Sequence, residues 1–298
     1  NEDRAKEMAA KYGCEYTTDS QEIADDGSIQ VVSIATPDFA HRDPCLQMIE
    51  AGKDLLVEKP LATNVEDAEA ITNAAREKGV RLMTDFQNRW NPPFITAKQA
   101  IEDGTVGDPV SAYIRLSNHI RIIDWISWAS KSGPQWFLGP HVVDIVRWLF
   151  DQDAKKVFAS GRRTILRERG ADTYDAIQAQ VMFEDAFATI QTDWIVPASW
   201  PRLDFRMDFL GSEGKFEVEP TGRSIALGND DQFRTPFISG RQVFTDKLMG
   251  FFKEPILHFL ECVQEDKPCL VAPEDGLAVT RIIVAIEQSI ETGEIVEI

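Results

Sequence analysis

The run Leu55-Leu56-Val57-Glu58-Lys59-Pro60 passes abruptly from apolar residues to a carboxylate, a lysine and a proline. A helix's length earlier, Val31-Val32-Ser33-Ile34-Ala35-Thr36-Pro37 ends in the same manner. Both have the character of buried strands, and in an open parallel sheet ligands bind just past the carboxyl ends of the strands. Two such ends, one carrying an ammonium, outline a catalytic crevice. The Lys59 ammonium can donate a proton to a developing alkoxide. To act as a base, the amine needs burial or a neighbouring cation to bring it down from about 10.4. The plainer alternative is a structural salt bridge between Lys59 and Glu58.

A second proton-handling group is His141, which follows Gly139-Pro140 at a predicted helix start. Free N–H groups of a first turn disfavour an imidazolium and would keep the ring neutral, able to orient or relay a proton. Its plainer role is a cap. Asp144, one turn on, either holds the tautomer of that ring or pairs with Arg147 at i, i+3. Arg89 follows the third strand at the same rim and either contacts substrate or pairs with an acid. Residues 118–137 are unusually aromatic for a connection, with Trp125, Trp128 and Trp136 around Lys131. Long connections often serve as lids, and indole faces stack on sugar C–H faces, but tryptophans also fill interfaces.

The elements that must position these groups follow from periodicity. Ala5, Met8, Ala9 and Tyr12 repeat helically before a stop at Gly13. A short extended piece and a small helix after Ser20 lead to the first buried run. A helix over residues 44–51 closes at Gly52, with Pro44 in its first turn, where a missing N–H costs nothing. Thr63-Asn64-Val65-Glu66 has capping-box spacing and opens a helix to Gly79. Residues 80–84 form a third strand. Strands alternating with helices imply a parallel sheet with crossover helices. Near Asp108-Pro109 the pattern changes. Val110, Ala112, Ile114 and Leu116 alternate with polar neighbours, as do Ile177 to Phe183 and Leu203 to Phe209. Such alternation indicates strands with one wet face, usual in antiparallel sheets. Helices are expected over 139–150, 255–265 and 274–291, the last with a stripe of Val279, Ile282, Ile283, Ile286 and Ile290. The chain is thus expected to change architecture near residue 108, from a parallel sheet with crossover helices to a largely antiparallel one.

Bulk properties exclude several functions. The 298 residues carry 31 basic and 49 acidic side chains, a net charge of −18 that repels nucleic-acid backbones and anionic lipid. No apolar stretch approaches the roughly 18 residues of a membrane span, and no signal peptide opens the chain. Cys14, Cys45, Cys262 and Cys269 lack C-x-x-C spacing and are expected as reduced packing residues of a cytoplasmic protein. The four dispersed histidines give a metal site little support.

Taken in order, these motifs resemble the Gfo/Idh/MocA family of NAD(P)-dependent oxidoreductases. The resemblance rests on Ala35-Thr36-Pro37 with His41, Ala51-Gly52-Lys53 leading into Val57-Glu58-Lys59-Pro60-Leu61, and Asn88-Arg89-Trp90-Asn91-Pro92. It continues through Gly139-Pro140-His141-Val142-Val143-Asp144, Arg147-Trp148-Leu149 and the closing Ser289-x-x-Thr292-Gly293. It implies a Rossmann-like dinucleotide-binding domain with a parallel sheet over 1–108, followed over 109–298 by an α/β domain for substrate binding and oligomerisation, an α+β unit with a large, mostly antiparallel sheet. It also implies NAD or NADP as cofactor, with Thr36, Pro37, His41, Glu58, Lys59 and Pro60 beside it. Lys59 and His141 would be catalytic, with Arg89, Trp128, Lys131, Trp136 and Asp144 around the substrate and no metal.

Two departures stand out. Family members begin with a strand, a glycine-rich phosphate loop, a helix and a second strand; the chain opens on the following helix and contains no G-x-G-x-x-G. The family's usual aspartate four positions before the pocket histidine is Phe137 here, so a relay carboxylate is missing or comes from elsewhere, with Asp124 and Asp144 as nearby candidates. The expectation is a homodimeric or homotetrameric enzyme passing a hydride between NAD(P) and a hydroxyl or carbonyl of a sugar, polyol or related molecule. A member that keeps only cofactor or ligand binding, or a scaffold role, is the alternative. A lyase that oxidises and reduces transiently with bound NAD is a second.

Overall fold

The computed structural model describes residues 1–200, 203–221, 227–228, 233–234, 240–245 and 247–298. The chain opens with helices α1 (Glu2–Tyr12) and α2 (Ser20–Asp25). Three parallel strands follow in the order β1-β2-β3: β1 (Val31–Ile34), β2 (Asp54–Glu58) and β3 (Leu82–Asp85). Helices α3 (Arg42–Glu50) and α4 (Val65–Lys78) are the crossovers. The cap of α4 lies one residue later than its sequence suggests. Asn64 Oδ1 accepts from the Asp67 backbone N–H at 2.8 Å, which makes Asp67, not Glu66, the reciprocal partner.

β3 also ends one residue beyond the expected Thr84. That extension places Asp85 opposite Glu58 in the parallel register. Side chains alternate along a strand, and the two faces of this sheet enter different cores. Leu55, Val57 and Leu82 pack with Met48, Ile49 and Ile71 from the crossover helices. Leu56 and Met83 instead join the larger core of the C-terminal part.

After α5 (Pro92–Glu102) comes β4 (Pro109–His119), the long central strand of a seven-stranded sheet. Its partners are β5 (Lys156–Arg162), β6 (Ala176–Met182), β7 (Phe187–Val196), β8 (Asp204–Gly211) and β9 (Lys215–Val218). The order is terminal strand Val296–Glu297, β5, β6, β7, β4, β8, β9. Every pairing is antiparallel except that of β4 with β7. Between β4 and β5 lie the short helices α6 (Ile122–Trp125) and α7 (Pro134–Phe137), then α8 (Gly139–Phe150). Helix α9 (Ile165–Glu168) joins β5 to β6, while α10 (Glu254–Gln264) and α11 (Pro273–Thr292) close the fold.

One face of the large sheet is covered by α8 and α11. Val142, Val143, Ile145 and Val146 of α8 meet Val279, Ile282, Ile283 and Ile286 of α11 in one core with Ala179, Val181 and Ile190 of the strands. Phe150 packs edge-on against Phe183 at 5.0 Å, one of the favoured aromatic geometries. α11 also reaches the parallel sheet. At Gly276 any Cβ would strike Thr84 and Leu61, so only glycine allows this close approach of helix to strand. The sheet thus comes to rest against the helices that carry the C-terminal candidates. Among the described residues, no helix is long and apolar enough to cross a membrane.

Candidate active site at the strand ends

Lys59 leaves the end of β2 half-buried, in a turn whose Lys59–Pro60 peptide is cis. Its Nζ donates to the Phe137 carbonyl oxygen at 3.0 Å and lies 4.4 Å from the centre of the Phe137 ring. Phe137 therefore holds the ammonium twice, by a backbone dipole and by the negative face of the ring. The ring meets the fully buried Trp194 edge-on at 5.7 Å. The turn entering α7 depends on Gly133, where a Cβ would collide with Thr173 and Gln135. Among the described residues, Lys59 forms no ion pair, so the salt bridge with Glu58 does not occur. Burial lowers the Lys59 pKa from its ordinary value, and Glu58, Asp38 and Asp85 oppose that shift.

His141 sits near enough for the Lys59 charge to act on it. Burial first, and that charge second, hold its pKa well below the ordinary imidazole value. The helix start is not the cause. The His141 backbone N–H is already spent on the Leu138 carbonyl at 3.1 Å. Its Nδ1 is buried with no hydrogen-bond partner, so Asp144 does not orient the ring. A neutral imidazole with a bare ring nitrogen beside a lysine whose pKa is lowered can orient or relay a proton.

Asp85 completes the cluster. It is 9% exposed, and its Oδ1 is buried without a partner. Burial, then the neighbouring Glu58 charge, raise its carboxyl to about 7, while Lys59 opposes. The sequence reading missed Asp85 because it stopped β3 at Thr84. The signal was Asp85 at the end of an apolar run, as with Glu58. Neither sequence candidate for the missing relay carboxylate serves here: Asp124 is exposed and Asp144 is bound elsewhere. The carboxylates that act on Lys59 are Glu58, Asp38 and Asp85.

The first strand end forms the rim. Ala35 and Thr36 are exposed. Buried His41 does not face the crevice but staples the two turns together: its ring nitrogens lie 2.8 Å from the Pro60 carbonyl and 3.0 Å from that of Thr36. The aromatic connection docks here. Ser132 Oγ donates to the buried Asp38 carboxylate, and Thr173 Oγ1 donates to the Ser132 carbonyl at 2.9 Å. Exposed Lys131 lies 5.1 Å from the centre of the Phe39 ring, beside this rim. Residue pattern gives no sign of this contact, since the bond between Asp38 and Ser132 spans 94 positions of chain.

Three expected substrate contacts are engaged elsewhere. Arg89 is 4% exposed and grips Asp144 with Nε and an Nη, the closest contact 2.6 Å. Its other Nη reaches the Leu270 carbonyl at 3.2 Å and Asp275 at 3.2 Å. Arg147 pairs with Asp153 and Asp275 instead of Asp144. Trp136 is buried with its Nε1 donating to Glu287 at 3.0 Å, which ties α7 to α11. Trp128 is half-buried against the larger core. Among the described residues, no group of three or more His, Cys, Asp or Glu is placed to hold a metal ion.

Two family profiles match: residues 1–86 fit the oxidoreductase family with an NAD-binding Rossmann fold, and residues 94–217 fit the GFO/IDH/MocA C-terminal domain. The chain is 27% identical over 303 residues to the scyllo-inositol 2-dehydrogenase (NADP(+)) of Bacillus subtilis, covering 92% of this chain and 80% of that one. It is also 27% identical over 300 residues to the scyllo-inositol 2-dehydrogenase (NAD(+)) of the same organism, covering 97% and 84%. The crystal structure of myo-inositol 2-dehydrogenase from Lactobacillus plantarum superposes with a TM-score of 0.86 at 19% identity, over 100% of this chain and 89% of that one. A Rossmann-like sheet, a large mixed sheet and these matches across both agree: the chain belongs to the Gfo/Idh/MocA family of NAD(P)-dependent oxidoreductases.

Proposed function

We propose that this protein is a polyol dehydrogenase, oxidising a ring CH–OH of an inositol-like substrate with NAD or NADP, and that Lys59 is its acid–base group. The observation that carries the reading is a half-buried lysine whose ammonium is disfavoured and which is flanked by two buried polar atoms without partners, Asp85 Oδ1 and His141 Nδ1. Buried polar groups are normally satisfied, so bare ones around an acid–base group suit a ligand rich in hydroxyls. The same features fit the reactive end of a nicotinamide dinucleotide at the carboxyl ends of parallel strands. Thr36, Pro37, Glu58, Lys59 and Pro60 would hold it, with His41 bracing their turns. Bound there, the cofactor supplies the hydride acceptor.

The chain's own residues supply the rest. Neutral Lys59 takes the hydroxyl proton while His141 orients or relays it, and Phe137 fixes the lysine against the pocket wall. Lys131 at the rim and Trp128 remain the candidates to line the substrate from the connection. The relatives named for scyllo-inositol support a cyclic polyol over an open-chain one.

The test is turnover by the full-length protein of scyllo-inositol, myo-inositol and glucose with each nicotinamide cofactor, followed by cofactor absorbance. Reduction with at least one inositol, lost in Lys59→Ala, is expected. Cofactor binding without turnover of any polyol would replace the dehydrogenase with a ligand-sensing protein.

We also read the protein as a cytoplasmic homodimer or homotetramer. Supporting this, Phe158, Phe187 and Leu210 are 41%, 43% and 49% exposed on the uncovered face of the large sheet. All four cysteines are free. Light scattering on a sizing column tests the assembly, and a monomer would remove it.

A further inference from the structure

Asp85 and Glu58 end adjacent parallel strands in register. Each shares a strand face with a residue of the larger core, Met83 and Leu56, two positions earlier. The two carboxyls therefore stand side by side, turned away from the crossover helices. Like charges out of water are tolerated only with a nearby cation or a bound proton. The cation is Lys59, and Asp85 carries the buried oxygen with no partner.

We propose that Asp85 is the proton-relay partner of Lys59, taking from Nζ the proton that the amine has removed from the substrate hydroxyl and resetting the amine for the next turnover. The inference deepens the dehydrogenase reading and rests on it.

The substrate O–H bond breaks and an N–H bond forms at Nζ, while the C–H electron pair leaves with its hydrogen to the nicotinamide cofactor and C=O forms. An ammonium N–H then breaks as an O–H forms at Asp85. That proton passes to water, one per turnover. Since no ion pair joins Lys59 to a carboxylate among the described residues, one water or a second substrate hydroxyl spans the gap.

Other groups facing Lys59 are less suited. Asp38 on the turn after β1 already accepts from Ser132 Oγ and the Phe39 N–H. Glu58 on β2 is half-buried and its oxygens are not among the bare buried atoms. His141 on α8 is held well below the ordinary imidazole value, by burial first and the Lys59 charge second, which makes it a weaker proton acceptor than Asp85. Asp85 alone combines burial, a bare oxygen and a carboxyl raised to about 7, close to working pH.

Asp85→Asn and Asp85→Glu in the full-length protein test this with scyllo-inositol oxidation. In Asp85→Asn, kcat at pH 7 is expected to fall about tenfold with KM values within about twofold, and the limb of the pH–rate profile near 7 to vanish. Asp85→Glu should restore most of the rate. A second readout needs no turnover: competitive labelling of Lys59 by an acid anhydride across pH, read by mass spectrometry. Loss of the Asp85 carboxylate should move the Lys59 titration to lower pH.

Unchanged kcat and pH profile in Asp85→Asn would overturn the relay, and so would an unmoved Lys59 titration. A folded wild type that turns over no polyol sinks the dehydrogenase reading and the relay with it. An active wild type with an indifferent Asp85→Asn sinks the relay alone.

Discussion

The molecule buries two clusters of opposite charge, four residues apart along the chain, and treats them differently. At Arg89 the charged groups are paired: Asp144 on both oxygens, the Leu270 carbonyl, and Asp275, which also serves Arg147. Around Asp85 and Lys59, the buried atoms Asp85 Oδ1 and His141 Nδ1 have no partner, and among the described residues Lys59 forms no ion pair. Buried charge that is fully paired locks elements together, and here it joins the turn after β3 to α8 and to the start of α11. Buried charge left short of partners is costly by itself and is retained where a ligand or a proton completes it. The family resemblance implies Arg89 and Asp144 at the substrate, while their residue types leave Arg89 equally free to pair with an acid; the difference in satisfaction favours the scaffold for both.

The contrast can be broken most directly at Lys59. Lys59→Ala should lower kcat for polyol oxidation by about 10²–10⁴-fold with little loss of thermal stability. A steady-state rate within tenfold of wild type would remove Lys59 from the chemistry. Arg89→Ala should do the reverse. It strands the Asp144 carboxylate in the core, and breaking a buried pair costs about 3–5 kcal/mol, visible in urea unfolding. Should Arg89→Ala fold normally yet raise KM for the polyol alone, the reassignment to scaffold fails.

The third test concerns pH. Native Asp85, raised to about 7, keeps its proton between about pH 4 and 7, where the unfolded carboxyl has lost it. The native state binds more protons in that window, so this group's contribution to stability declines as pH rises through it. Asp85→Asn should therefore be stabilised relative to wild type at pH 8, by about 1–4 kcal/mol, and hardly at pH 4. Asp275 has the opposite sign. Burial pushes its carboxyl up, but Arg89 and Arg147 hold it below its ordinary value, so its contribution is present above about pH 4 and lost as pH falls further. Melting curves of Asp85→Asn and Asp275→Asn across pH should diverge in opposite directions; parallel curves would erase the distinction between the clusters.

The smallest effect is expected at Trp136→Phe. Losing the bond to Glu287 should cost about 1 kcal/mol and leave polyol KM unchanged. A KM rise without a stability loss would return Trp136 to the substrate.

Some of this was plain in the chain. The apolar runs at Val31 and Leu55 with their abrupt polar ends marked adjacent parallel strands and picked out Lys59, because local hydrophobic pattern determines what can be buried. Alternation after Pro109 marked the large sheet for the same reason, though not that β4 lies parallel to β7, since pairing direction leaves no trace in one strand's pattern. A one-residue error in the end of β3 hid Asp85, because boundaries depend on cross-strand bonding that periodicity does not encode.

What the sequence determined by itself, then, was the kind of element at each place, the family and the identity of the lysine and the histidine. Those follow from side-chain type and spacing along one strand or helix. Tertiary structure alone decided which charges meet: that Asp144 is spent on Arg89, that Ser132 reaches Asp38 across 94 positions, that Phe137 backs Lys59, and that Asp85 is left incomplete. Electrostatic interaction and desolvation depend on distance through space and on exclusion of water, and neither is a property of neighbours in the chain.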